Sequence, residues 1–231
     1  MRAESEAVTV AGTIPEAAGT VPAATHHRVF AAMYERMARA GGERTFMEPL
    51  RRDSAGRARG VVLEVGAGTG LNFAWYDPAR VERVAAIEPD VAMRRYAERR
   101  RGTARVPITL TAAPVEALPF ADTSFDSVVA TLVFCSVGDP AAGLREIVRV
   151  LKPGGSLYLV EHVRARGALA ARIQDWMVPL TTRFAGNCHW NRDTASTVRA
   201  VGLGVVRLRE TGGGMHPIIV VEAVRGISST P

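Results

Sequence analysis

An α/β fold, with a seven-stranded and mostly parallel sheet covered by helices on both faces, is predicted by three observations. Short apolar runs that read as strands alternate with helical periodicities through the middle of the chain. The first strong run, Val61–Val65, leads straight into a glycine-rich loop. Two final runs, Val205–Glu210 and Ile218–Val224, are separated by Gly-rich residues, a spacing that allows an antiparallel pair at one edge.

Each element follows from local pattern. Residues 1–25 are rich in Ala, Thr, Val, Pro and Glu without periodicity, and read as a mobile tail. One domain is expected over 26–225, with a short tail at 226–231. Val29, Phe30, Met33, Tyr34 and Met37 recur at helical spacing, and Gly41-Gly42 should end that helix. A second short helix is expected over Arg44–Arg52. After the strand Val61–Val65 come glycines and a helix, then a strand at Val84–Ile87 and a helix at Val91–Arg101. Ile108–Thr111 and Phe125–Thr131 read as the third and fourth strands. Asp139-Pro140 suits an N-cap and first turn, and Leu144, Ile147, Val148 and Leu151 give the apolar stripe of the helix it opens. Lys152-Pro153-Gly154-Gly155 should stop that helix before the fifth strand, Ser156–Glu161.

Composition narrows the function classes. The 231 residues are 47% hydrophobic and 23% charged, ordinary for a globular enzyme. No apolar run approaches the roughly 18–20 residues of a membrane span, and the N-terminus lacks the pattern of a secretory signal. A cytoplasmic address is expected. The net charge of +6 invites a nucleic-acid reading, but Lys152 is the only lysine and the arginines are spread along the chain. Their one dense cluster, Arg94, Arg95, Arg99, Arg100 and Arg101, reads as a solvated helix face, so a small molecule is favoured over a nucleic acid as partner. Cys135 and Cys188 stand far apart and outside any C-x-x-C pattern, so neither a disulfide framework nor a metal site is expected.

Chemistry concentrates at the glycine loop. Val61–Gly70 reads Val-Val-Leu-Glu-Val-Gly-Ala-Gly-Thr-Gly, and its glycines let the backbone turn tightly and approach a ligand. The spacing G-x-G-x-G differs from the G-x-G-x-x-G of dinucleotide enzymes. Glu88, eighteen residues past Gly70, closes the second strand where a carboxylate can accept from both hydroxyls of a ribose. Downstream stand Ala113-Pro114-Val115-Glu116-Ala117-Leu118-Pro119-Phe120, Ser124-Phe125-Asp126-Ser127-Val128-Val129 and Leu151-Lys152-Pro153-Gly154-Gly155.

These four stretches, in this order, resemble the class I S-adenosylmethionine (SAM)-dependent methyltransferases. The resemblance implies a Rossmann-like fold with N-terminal helices over the cofactor site, SAM as cofactor and S-adenosylhomocysteine as product. It implies cofactor contacts at Tyr34, Glu64, Gly66, Ala67, Gly68, Gly70, Asn72, Glu88, Pro89, Ala113, Val115, Glu116, Thr131 and Leu132, with Glu64 near the methionine amino group. Pro114 stands where relatives commonly carry an Asp for the adenine amino group, so adenine recognition should rest on backbone groups near Val115 and on apolar packing.

The acceptor is expected beyond the carboxyl ends of the strands. Three segments can reach it: the helix with Phe30 and Tyr34, the loop Thr131–Gly138, and the excursion His162–Arg192. Thr131–Val137, Val160-Glu161-His162-Val163 and the run Cys188-His189-Trp190-Asn191-Arg192-Asp193 resemble the methyltransferase-like 7 group of thiol S-methyltransferases. Bacterial phospholipid N-methyltransferases and ubiquinone/menaquinone C-methyltransferases are more distant relatives. The resemblance implies a small thiol as acceptor, with oxygen, nitrogen or carbon as alternatives. Phe30, Phe134, Cys135, Trp176, Cys188 and Trp190 are the candidate acceptor contacts. His162 and His189 are the candidate bases, because imidazole exchanges protons near neutral pH. Asn191 or Asp193 should cap the helix that follows.

Overall fold

The structure, a computed structural model, describes residues 28–39 and 43–226. The tail expected over 1–25, residues 227–231 of the tail expected over 226–231, and the Gly41-Gly42 helix stop lie outside the described residues. Seven strands form one sheet: β1 (Gly60–Val65), β2 (Val81–Ile87), β3 (Ile108–Thr111), β4 (Phe125–Thr131), β5 (Leu151–His162), β6 (Leu203–Gly213) and β7 (His216–Arg225). Their order is β3-β2-β1-β4-β5-β7-β6. β1 to β5 pair in parallel, while β7 runs antiparallel to both β5 and β6. The sheet reverses its winding between β1 and β4, and in open α/β sheets the crevice at such a reversal is where ligands bind.

Helices cover the sheet as the alternation predicts: α1 (Arg28–Arg39), α2 (Glu48–Arg52), α3 (Val91–Arg101), α4 (Pro140–Val150), α5 (Ala168–Phe184) and α6 (Thr194–Ala200). Caps set their starts. Asp90 accepts from the amides of Ala92 and Met93, Asp139 from Ala142, and Asp193 from Ser196. One large core lies under α4 and α6, built on Leu63, Val128, Leu144, Ile147, Leu157 and Val221. A second lies on the opposite face around Val62, Phe73, Tyr76, Val84 and Val129. Alternate residues of β1 and β4 therefore feed opposite layers, as buried parallel strands require.

Several expectations are corrected. The glycine loop is followed by turns and a single 3₁₀ turn, Phe73–Trp75, not by an α-helix. Asp77-Pro78 leaves too few residues for one, because proline removes a helical N–H. The expected helix over Arg44–Arg52 is a π-helical turn, Glu43–Met47, running into α2. α4 ends at Val150, one residue before the expected stripe does, and β5 begins at once with Leu151, so Lys152–Gly155 belongs to the strand. On α1, Val29, Met33 and Met37 face outward, with Val29 84% exposed, while Ala31 and Glu35 are buried. Glu35 turns inward because Arg100 on α3 reaches it at 2.7 Å. The arginine cluster on α3 is also more than a solvated face. Arg100 Nη1 donates to the Thr69 carbonyl at 2.7 Å, and Arg94 Nη1 to the carbonyls of Glu88 (2.7 Å) and Pro89 (2.9 Å). These bonds tie α1, α3 and the glycine loop together. Among the described residues no helix is long and apolar enough to cross a membrane.

Candidate active site

A cavity of about 540 Å³ opens along the carboxyl ends of β1 to β5. Its order follows the sheet. Ala113–Glu116 lie beyond β3, Glu88–Asp90 beyond β2, Gly66–Thr69 beyond β1, Thr131–Val133 beyond β4, and His162 ends β5. β2 and β5 are three strand spacings apart, about 14 Å, so the cavity holds an elongated ligand with room at the β5 end. Phe30 and Tyr34 of α1, with ring centroids 6.1 Å apart, form one wall.

The β1 loop is shaped for a ligand. Gly66 sits at φ +61°, and a Cβ there would meet Val133 Cγ2 at 2.6 Å. At Gly68, φ +57°, no protein atom lies nearer than 4.0 Å to the space a Cβ would take. Side chains are thus barred by conformation at both positions, and the room beside Gly68 is left open to a ligand. Gly70 has a different task. It does not line the cavity, and its missing Cβ makes space for the Phe73 ring.

Three buried carboxylates organise the walls. Glu88 accepts from the amides of Gly68 and Asp90, both at 2.8 Å, and its carboxyl faces the cavity. Burial pushes its pKa up to about 7, against the pull of those two donors. Glu64 is also raised to about 7 by burial. Its side chain does not line the cavity. The Tyr76 hydroxyl donates to Oε2 at 2.7 Å and Asn72 Nδ2 to Oε1 at 3.1 Å, so Glu64 acts by holding Asn72. Asn72 in turn donates to Thr131 Oγ1 at 3.2 Å and accepts from Arg51 Nη1 at 2.6 Å, and all three line the cavity. Glu161, also raised to about 7 by burial, accepts from the amides of Val133 (2.6 Å), Phe134 (2.7 Å) and Cys135 (3.2 Å). That carboxylate fixes the loop after β4, where Leu132 is held at φ +58°. A bulky residue in the left-handed region is strained, and such strain persists only where neighbours impose it.

The β5 end gathers residues remote in sequence. Cys135, His162 and Cys188 line it together, with their ligating atoms all within 4.8 Å of one another. The wide sequence separation of the two cysteines gave no reason to expect this cluster. Cys135 is buried, and its hydrogen bond to Cys188 followed by burial pushes its thiol up. That same bond, with His162 beside it, pushes the Cys188 thiol down. The Nδ1 atom of His162 is buried with no hydrogen-bond partner among the described residues.

Other expected acceptor contacts fall elsewhere. Trp176 is 81% exposed on α5 and does not line the cavity, because the face of that helix turned inward carries Ala171 and Gln174. Phe134 is buried in the core beside Gly143. Trp190 is buried against His216, ring centroids 4.6 Å apart. His189 lies outside the lining, with Nδ1 2.9 Å from the Asn187 carbonyl. Tyr34, Gly66, Ala67, Gly68, Asn72, Glu88, Pro89, Ala113, Val115, Glu116, Thr131, Leu132, Phe30, Cys135, Cys188 and His162 do line it. Sequence reasoning missed Arg51, Tyr76 and Glu161. Only Glu161 carried a signal, a charge inside an otherwise apolar strand.

Residues 63–159 match the family model described as a methyltransferase domain. Among curated proteins the chain is similar to thiol S-methyltransferase TMT1B of Rattus norvegicus, 33% identical over 151 residues, 64% of this chain and 61% of that protein. It is also similar to the demethylmenaquinone methyltransferase of Renibacterium salmoninarum, 39% identical over 100 residues, 43% of this chain and 40% of that one. The chain thus spans less than two thirds of the length of either. Among solved structures, geranyl diphosphate C-methyltransferase of Streptomyces coelicolor A3(2) shares the fold at TM-score 0.65 and 15% identity, over 87% of this chain and 88% of that one. That enzyme was solved with Mg²⁺, geranyl diphosphate and S-adenosylhomocysteine.

Proposed function

We propose that this chain methylates the sulfur of a small thiol, using SAM, in the cytoplasm. The observation that carries this reading is the β5 end of the cavity, where His162 stands beside Cys135 and Cys188 next to the loop after β4. The likeness to a thiol S-methyltransferase supports it. A cavity of about 540 Å³ suits a cofactor and a small acceptor better than a nucleic acid.

SAM, when bound, supplies a methyl group on a sulfonium sulfur, open to in-line attack. Glu88 would accept from the ribose hydroxyls, the Gly66–Gly68 backbone would hold the ribose and methionine, and Val115 with its neighbours would hold the adenine. Arg51, Asn72 and Thr131 hold the methionine end. Phe30, Tyr34, Leu132 and Val133 keep water from the reacting atoms, which strengthens positioning as a source of rate. His162 takes the proton of the acceptor thiol. Release of S-adenosylhomocysteine with matched thiol, phenol, amine and quinol acceptors tests the reading. Turnover with thiols supports it, and turnover confined to the quinol would transfer the assignment to a quinol acceptor, the class named in the demethylmenaquinone relative.

A further inference from the structure

The cluster at the β5 end has the composition of an open metal site. Two thiols and one imidazole are the ligand set of a catalytic zinc that keeps a fourth position free, and such soft ligands select Zn²⁺ over the hard cations bound by carboxylates. Zn–S bonds of about 2.3 Å and Zn–N bonds of about 2.0 Å place tetrahedral ligand atoms about 3.5–3.8 Å apart. The three atoms here lie within 4.8 Å of one another, so closing on an ion needs movements of about an ångström.

The arrangement is also held from outside. Glu161 grips the amide of Cys135, and Thr181 Oγ1 donates to the Cys188 carbonyl at 2.7 Å. The two cysteine segments are tied together, His189 N–H to the Cys135 carbonyl (2.6 Å) and Asn187 Nδ2 to the Ser136 carbonyl (2.7 Å). Arg192 Nη1 donates to the carbonyls of Phe134 (2.7 Å) and Val137 (2.8 Å). Outer bonds of this kind orient ligands in metal sites. Among the described residues one hydrogen-bonding contact reaches a ligand atom of the cluster from outside, Ser136 Oγ at 3.6 Å from Cys135 Sγ. Among the described residues His162 Nδ1 is buried with no hydrogen-bond partner outside the cluster, so the imidazole is open to a ligand.

We propose that Cys135, His162 and Cys188 bind a Zn²⁺ ion whose fourth position faces the cavity and takes the acceptor as a thiolate. The proposal rests on the thiol reading and changes how the acceptor is activated. Coordination lowers the acidity barrier, and the S–H proton passes to solvent. The thiolate sulfur then attacks the methyl carbon, the sulfonium C–S bond breaks, and its electron pair stays on the departing sulfur. One thiol and one SAM give one methyl thioether, one S-adenosylhomocysteine and one proton. The thioether, uncharged, is a weaker ligand and leaves. His162 serves the ion as ligand in place of serving the thiol as base.

Titration of the reduced, chelator-stripped chain with Co²⁺ and Zn²⁺, without SAM or acceptor, tests the site separately from turnover. One equivalent of Co²⁺ should bind with sulfur-to-cobalt charge-transfer absorption, and Zn²⁺ should displace it. C135S, C188S and H162Q should each weaken binding at least tenfold. Retained SAM binding by calorimetry shows that each variant is folded. Ethanethiol added to the Co²⁺-loaded chain should intensify the charge-transfer bands as a third sulfur joins. Binding well below one equivalent, or unchanged in folded C188S, overturns the site, whereas bands indifferent to ethanethiol overturn the open position. Loss of thiol turnover with the metal site intact would instead overturn the acceptor assignment.

Discussion

The two ends of the cavity are built by opposite means. At the end over β1, β2 and β3 the working surface is backbone: glycines at positive φ, amides held by Glu88, and the short run Ala113–Glu116. At the end over β4 and β5 it is side chains, brought from Cys135, His162 and Cys188 by three different segments. A backbone cradle serves a constant ligand and tolerates no change of residue. A side-chain cluster can be retuned for a new acceptor while the cradle stays as it is. The sharpest tests of this contrast are substitutions that disable one end and spare the other.

The largest effect is expected at Gly66. Alanine there would have to adopt φ +61° and would press its Cβ on Val133, so G66A should abolish measurable SAM binding. Calorimetry would read the loss directly, and near-normal affinity would show that the cradle yields. Next comes Glu88. Both its oxygens accept from amides, so glutamine would set a donor against a donor at a cost of about 1–3 kcal/mol, a ten- to hundredfold loss of SAM affinity. At the other end, His162→Ala should lower thiol turnover by about 10²-fold while SAM affinity changes less than threefold. Equal losses in both would merge the two ends into one functional unit.

A smaller effect separates the ends by pH. Burial raises Glu88 to about 7 in the free chain, while the ribose hydroxyls of the proposed cofactor would donate to its ionised form. SAM binding therefore releases a proton, and affinity should weaken by up to about tenfold per pH unit below 7. Stability of the free chain should move the other way. Glu64, Glu88 and Glu161 all bind protons more tightly when folded, so their contribution is full below the ordinary carboxylate range and is lost as pH rises through about 7. The melting temperature without ligand should fall between pH 5 and 8 as SAM affinity rises, and E88Q should flatten the affinity profile.

How much of this was legible in the sequence follows the same division. The cradle is local. Val61–Gly70 joins a strand to its glycines within ten residues, and Glu88 ends the next strand, so period and spacing located both. What failed there was depth. Glu64 and Gly70 have the expected residue types but face Tyr76 and Phe73, because burial direction at a strand end depends on neighbours that no spacing reveals. The side-chain end is non-local. Nothing in positions 135, 162 and 188 announces contact until β4 and β5 lie side by side and the run after α5 folds back on them. The expectation of no metal site rested on the separation of the two cysteines and on the lack of a C-x-x-C pattern, and the fold removes the separation.

Trp176 gives the smallest predicted effect and the cleanest control. An aromatic in the excursion after β5 is a natural acceptor contact on sequence grounds, yet its side chain stands in solvent on α5 with Leu169, Leu180 and Phe184 also exposed on that helix. Exposed substitutions away from caps and buried networks usually change stability by no more than about 0.5 kcal/mol. W176S should therefore leave the melting temperature, SAM affinity and thiol turnover unchanged in dilute solution. A fall in turnover with soluble thiols would extend the acceptor end onto α5. An effect confined to poorly soluble acceptors presented in micelles would instead make that apolar face part of how the acceptor arrives, leaving the chemistry at Cys135, His162 and Cys188 as it stands.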